Sequence, residues 1–145
     1  MNNNEIRIMK IMLDEGAFMP NRAHTTDAGI DLKTPRAFCI WPGESIAVDT
    51  GAHVQLPPGT YGKIESKSGL NFKHGVVCCG GVIDEGYTGS IVVKLYNLSD
   101  ERYTFEAGQK IAQMIVQPYY APSMVLADIL EKTERGDAGF GSTGK

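Results

Sequence analysis

An all-β fold, a β-sandwich or jelly roll, is what the sequence predicts, and three observations predict it. Short runs rich in β-branched and aromatic residues recur along the chain. Seventeen glycines and seven prolines among 145 residues punctuate those runs at short intervals. No linker splits the chain and no repeat divides it, so the runs belong to one domain large enough to bury a core.

The elements follow in order. Ile6-Arg7-Ile8-Met9-Lys10-Ile11 alternates with period two and reads as the first strand. In Ala28-Gly29-Ile30-Asp31-Leu32, alternation puts Ile30 and Leu32 on one face and Asp31 on the other, where a carboxylate is ordinarily solvated. Strands are expected over 37–40, 45–48 and 60–64. Residues 66–72 suit one or two helical turns, which Ser66 or Ser68 would cap. Strands over 75–79 and 90–95 flank the glycine-rich stretch 80–89, so the three together read as a β-hairpin with a wide mouth. Further strands are expected over 102–105 and 110–117. Segment 124–132 is helical by composition, but its Val125, Ala127 and Ile129 alternate, so a strand is an equal expectation. Residues 1–134 form the predicted β domain, and 135–145 a flexible arm too rich in glycine for helix or packed strand.

The bulk properties narrow the function. Net charge is −3, which leaves no basic footprint for nucleic acid. No apolar stretch reaches the roughly 18 residues a membrane-spanning helix needs. Residues 1–5 lack the charged-then-apolar order of a signal peptide. Cys39, Cys78 and Cys79 are an odd count with no C-x-x-C pair, so reduced thiols in a cytoplasmic protein are expected.

Several segments are suited to a phosphorylated ligand. Ser66-Lys67-Ser68-Gly69 offers hydroxyls, a cation and exposed amides at a helix start. In the hairpin, glycines permit close approach of a planar base to the main chain, with Asp84 and Tyr87 beside it. Gln113 takes the strand face opposite Ala112. The arm carries Arg135 for phosphate oxygens, Phe140 to stack on a base, and the hydroxyls of Ser142 and Thr143. His24, His53 and His74 are scattered and form no nucleophile or metal constellation. The set fits metal-assisted attack of water on a phosphate better than acyl transfer.

Five of these segments, in this order and spacing, resemble the five motifs of the trimeric dUTPase family. They are Asp-Ala-Gly-Ile-Asp-Leu at 27–32, Ser-Gly-Leu at 68–70, Gly-Val-Ile-Asp-x-x-Tyr at 81–87, Gly-x-Lys-Ile-Ala-Gln at 108–113 and Arg-Gly-x-x-Gly-Phe-Gly-Ser-Thr-Gly at 135–144. The resemblance implies a jelly roll, a homotrimer with shared sites, and Mg²⁺-assisted hydrolysis of dUTP to dUMP and pyrophosphate. It implies that Asp84 is the general base and that Tyr87 lies against the deoxyribose. Gly81, Val82 and Ile83 would read uracil through their main chain. Ser68, Gly69 and Gln113 would bind phosphate oxygens, with Lys67 and Lys110 in support. Asp31 would hold a metal-bound water or a neighbouring polar group. Arg135, Ser142 and Thr143 would grip the distal phosphates, with Phe140 over the base. Lys67 and Lys110 stand where family members commonly carry Arg, which keeps the charge and loses the two-pronged fork. Thr88 stands where Arg is common, and Cys78 near the place of a uracil-contacting Asn in some relatives. Two other functions fit the same outline: a dCTP deaminase, which needs a further carboxylate beside the pyrimidine amino group, and a binding protein that uses a nucleotide-gated lid to regulate a partner.

Overall fold

Ten strands and one short helix carry the chain in the computed structural model, which describes residues 7–142 and 144. In chain order they are β1 (Lys10–Leu13), β2 (Gly29–Lys33), β3 (Phe38–Ile40), β4 (Ser45–Gln55), β5 (Thr60–Glu65), α1 (Ser68–His74), β6 (Val76–Cys78), β7 (Val82–Ile83), β8 (Ser90–Asn97), β9 (Tyr103–Phe105) and β10 (Lys110–Pro118). One four-stranded sheet runs β1-β4-β8-β6 and a second runs β2-β10-β5-β7, while β3 pairs with β9. Every strand pairing is antiparallel, and the architecture is an all-β jelly roll.

Period-two alternation drives the packing. On β8, Ile91, Val93 and Leu95 turn inward and are buried, while Val92 and Lys94 face out. They meet Leu32, Val48, Phe105, Ile111 and Met114 in a continuous core between the sheets. Removing that apolar surface from water is the dominant stabilising effect, at about 25 cal/mol per Å².

Most predicted strands are present with ends shifted by one to three residues. β1 starts at Lys10; Arg7 to Met9 lie outside it, and Ile6 is not among the described residues. β4 runs well past its predicted end, through Thr50-Gly51 to Gln55. A bulge absorbs the break: the register against β8 shifts between Asp49 and His53, and Gly51 takes φ +66°. The Asp49 carboxylate accepts from the Gly51 amide at 2.9 Å, and the Thr50 hydroxyl donates to the Ile91 carbonyl at 2.7 Å.

Two expectations are corrected. Segment 124–132 is neither helix nor strand, and Met124, Leu126 and Leu130 are almost fully exposed. A helix or strand that short needs a surface to bury its apolar face, and this chain presents none to it. The glycine-rich mouth is also more than a hairpin loop. β6 pairs with β8 as expected, but the chain between them crosses to the other sheet and adds β7 to the edge of β5. Gly80 and Gly81, at φ +78° and +96°, make that crossing. A Cβ on Gly81 would stand 2.6 Å from the Ile64 side chain.

Candidate active site

β10 organises the site because it is paired on both sides, to β2 and to β5. Its register sets Gln113 between Asp31 and Glu65. Asp31 is therefore interior: it is 3% exposed, against the solvated place the alternation suggested. Its neighbours Ile30 and Leu32 are buried as well, since β2 is enclosed on both faces there. Two cations compensate the carboxylate. Lys67, just before α1, reaches one oxygen at 2.5 Å, and Lys110, opening β10, reaches the other at 2.7 Å. Burial alone would raise the pKa of Asp31, but hydrogen bonds from Lys110 and Lys67 outweigh it and hold the pKa below its ordinary value. Two cations and one anion leave one positive charge in excess beside Ser68 and Gly69, as an anion-binding site requires.

The second group rests on close packing. Gln113 is half-buried and donates from Nε2 to the Ser66 carbonyl at 3.0 Å. Its amide lies over Gly29, where an added Cβ would come within 1.9 Å of Oε1. Ser66 does not cap α1. Its hydroxyl accepts from the Cys78 amide at 2.9 Å, and the N-cap position is Lys67, with no side-chain cap. Ser68 and Gly69 are exposed in the first helical turn, whose amides have no carbonyl partner within the helix.

The hairpin supplies the third group. Ile64 donates its amide to the Gly81 carbonyl at 2.8 Å, which fixes the approach to β7. Ile83 is buried, while Val82 and Asp84 face solvent. Asp84 borders an open cleft of about 400 Å³ with Tyr61, Val82, Glu85 and Tyr119. The Tyr87 ring folds over Gly89 and donates to the Ser90 carbonyl at 2.8 Å. Any side chain at 89 would collide with that ring. Tyr119, after β10, donates to Glu85 at 2.6 Å and braces the other side of the hairpin. Neither Tyr119 nor the Asp49–Ser90 contact at the hairpin stem stood out in the sequence, because both partners lie more than 30 residues apart.

The arm stands apart from these groups. Among the described residues, its hydrogen bonds remain local: Arg135 Nε donates to the Ala138 carbonyl, and the Ser142 amide to the Gly139 carbonyl. Phe140 is fully exposed and has φ +51°. Thr143 lies outside the described residues. One chain thus joins Asp31, Lys67 and Lys110, sets Gln113 against Ser66, and shapes the Asp84–Tyr87 hairpin, without bringing Arg135, Phe140 or Ser142 onto them.

The chain is similar to known proteins over most of its length. The dUTPase family model matches residues 15–144. The deoxyuridine 5'-triphosphate nucleotidohydrolase of Clostridium kluyveri is 41% identical over 134 residues, covering 91% of this chain and 94% of its own. The mitochondrial human enzyme of that name is 40% identical, covering 92% of this chain and 53% of its own. Among solved structures, a variant of the Staphylococcus bacteriophage 80alpha dUTPase with dUpNHpp superposes with a TM-score of 0.86 at 29% identity, covering 95% of this chain and 99% of its own. A variant of the dUTPase of S. aureus phage phi11, described for its coordination of a structural Mg(II) ion, reaches 0.79 at 26% identity, covering 86% and 99%. With a family model spanning nearly the whole chain and close relatives matched almost end to end, the chain belongs to the dUTPase family and is a hydrolase.

Proposed function

We propose that the protein hydrolyses dUTP to dUMP and pyrophosphate through attack of an Asp84-activated water on the α-phosphorus. The observation that carries this is the hairpin: an exposed carboxylate at a cleft, three residues from a tyrosine ring pinned over a glycine, beside main chain held open by Gly80 and Gly81. Uracil pairs with the main chain at Gly81 to Ile83 as an added strand does, and hydrogen-bond mismatch rejects cytosine. The Tyr87 ring occupies the space a 2′-hydroxyl needs. Ser68, Gly69 and Gln113 bind phosphate oxygens, and the excess charge of Lys67 and Lys110 favours the anion. Arg135, Phe140, Ser142 and Thr143 close over the nucleotide as a lid, which excludes water other than the nucleophile. Because the described lid residues Arg135, Phe140 and Ser142 do not reach the hairpin of their own chain, we assign the lid to a neighbouring subunit in a homotrimer. The free cysteines suit the cytoplasm.

Mg²⁺ belongs to this reading as a partner of the triphosphate, whose charge it neutralises when bound. Among the described residues, no three His, Cys, Asp or Glu side chains converge to hold a metal. Both Asp31 oxygens already accept from lysines, so a metal-bound water would share Asp31 with Lys67 and Lys110. The fit is to an ion carried mainly by substrate oxygens.

The test is pyrophosphate release from dUTP, dTTP, dCTP and UTP, with ammonia release from dCTP measured alongside. dUTP is expected to be the preferred substrate by orders of magnitude; ammonia from dCTP would instead identify a deaminase. Asp84→Asn keeps the shape and removes the proton acceptor, so kcat should fall by about 10²- to 10⁴-fold with dUpNHpp binding retained. Activity within threefold of the parent would remove Asp84 from its role.

A further inference from the structure

His53 joins no motif, yet the fold sets it at the stem of the hairpin. It lies on β4, two residues beyond the bulge glycine, level with Met12 on β1 and Ser90 on β8. Its side chain is 18% exposed. Nδ1 is 2.8 Å from the carbonyl oxygen of Thr88, the residue after Tyr87. Nε2 is 3.1 Å from both carboxylate oxygens of Asp14, in the loop after β1. Both partners are acceptors. A neutral imidazole carries one N–H and can satisfy one of them; only the imidazolium donates to both.

The groups acting on the ring come from every side of it. The hairpin presents the Thr88 carbonyl, the loop after β1 presents Asp14, and β4 itself presents Asp49. From β8, Ser90 gives its hydroxyl to Asp49. The Thr88 carbonyl first, then Asp14, favour the protonated ring and raise its pKa above the ordinary 6.5. The other braces on the hairpin, Tyr87 to the Ser90 carbonyl and Tyr119 to Glu85, contain no group with an ordinary pKa between about 6 and 8.

We propose that His53 is a positioning residue for nucleotide selection: its imidazolium ties the Thr88 carbonyl to Asp14 and so holds the adjacent Tyr87 in place against the bound nucleotide. The inference rests on the nucleotide-binding role given to the hairpin above. Its sign is definite. The clamp is complete at low pH and loses one hydrogen bond as pH rises through the His53 pKa, so nucleotide affinity and rejection of UTP both decline in that direction.

The test uses the full-length chain, its His53→Gln variant and its Asp14→Asn variant, from about pH 5.5 to 8.5. Calorimetry with dUpNHpp gives Kd, pyrophosphate release from dUTP and UTP gives kcat and KM for each, and the His53 Cε1 proton resonance gives its pKa. For the parent, Kd and KM should rise about 2- to 10-fold across the measured His53 titration, the range of one hydrogen bond, with kcat for dUTP much less affected. The UTP/dUTP ratio of kcat/KM should rise with them. Asp14→Asn should move both the His53 resonance and the kinetic inflection to lower pH, and His53→Gln should abolish the inflection. Titration of the ligand's phosphate and uracil is common to all three proteins and cancels in the comparison. Should His53→Gln fail to fold, the paired shift in Asp14→Asn decides the matter, because Asp14 is 54% exposed and its amide preserves shape. An inflection that survives His53→Gln, or that stays in place when Asp14→Asn moves the resonance, overturns the clamp alone. A parent that neither binds dUpNHpp nor hydrolyses dUTP at any pH overturns the nucleotide reading and the clamp with it.

Discussion

Asp31 is where residue-scale physics departs most from the pattern of its neighbours in sequence. Alternation places a carboxylate opposite Ile30 and Leu32, and an isolated strand would leave it in water. The fold instead buries it, which is tolerable only because each oxygen receives an ammonium group. Asp31→Asn should therefore leave two lysines facing a neutral amide. Loss of one partner from a fully buried pair costs about 3–5 kcal/mol; here Lys67 and Lys110 keep contact with water at 27% and 42% exposure, so about 2 kcal/mol is expected. The pH dependence has a definite sign. The folded pKa of Asp31 is lowered, so its contribution is complete above the unfolded value near 3.8 and is lost as pH falls through the folded one. Urea unfolding at fixed protein concentration should show a parent–variant gap that is constant from neutral pH to about pH 5 and narrows below pH 3.8. A gap that widens on acidification would contradict this pairing.

At the scale of elements, β2 and β10 meet through Gly29 and Gln113, and the contact leaves no room for a methyl group. In Gly29→Ala, the new Cβ would overlap Oε1 of Gln113, the far end of a flexible side chain. It should swing away and give up its hydrogen bond to the Ser66 carbonyl. The stability loss should be near 1 kcal/mol, as for one hydrogen bond, whereas kcat/KM for dUTP should fall about 10-fold or more because a phosphate contact goes with it. A double-mutant cycle isolates the cause: in a Gln113→Ala background, Gly29→Ala should add little to the kinetic loss. Equal losses in both backgrounds would place the effect elsewhere. The same scale explains what was legible of the strands. Long runs rich in β-branched residues, such as β8 and β10, are legible to within one or two residues. The sequence predicts an end for β4 at Val48, short of the Asp49-Thr50-Gly51 bulge, because a bulge and a turn have the same composition and differ only in whether a partner strand continues alongside.

The whole molecule raises the matter of the arm. Segment 124–132 and Phe140 leave large apolar side chains exposed, and the described tail residues bond only within residues 133–142. In the proposed homotrimer with shared sites, a neighbouring subunit would supply the missing contacts. Deletion of residues 135–145 should leave the fold and assembly intact and nearly abolish turnover. That protein and Asp84→Asn, each inactive, should then be denatured and refolded together. If one subunit's lid serves another's hairpin, some sites in mixed trimers hold an intact Asp84 and an intact lid, and dUTP hydrolysis should return well above either parent. Mixed trimers that native mass spectrometry confirms, yet that stay inactive, would show that each lid covers its own hairpin.

The all-β class, most strands, the short helix and the membership of Asp84, Tyr87, Ser68, Gln113 and the arm in one recognisable series were readable from local order alone. Side-chain periodicity and glycine placement are properties of neighbours in sequence, and so are short motifs. Pairing across long separations is not. The two lysines on Asp31, the crossing of the hairpin onto β5, the Glu85–Tyr119 brace and the seat of His53 between Thr88 and Asp14 each join residues from 19 to 79 positions apart. Segment 124–132 is the converse case: its composition suits either a helix or a strand, and an element of that length takes up neither until another surface buries its apolar side. Burial and charge compensation depend on which strands close over a residue, and only the assembled sheets decide that.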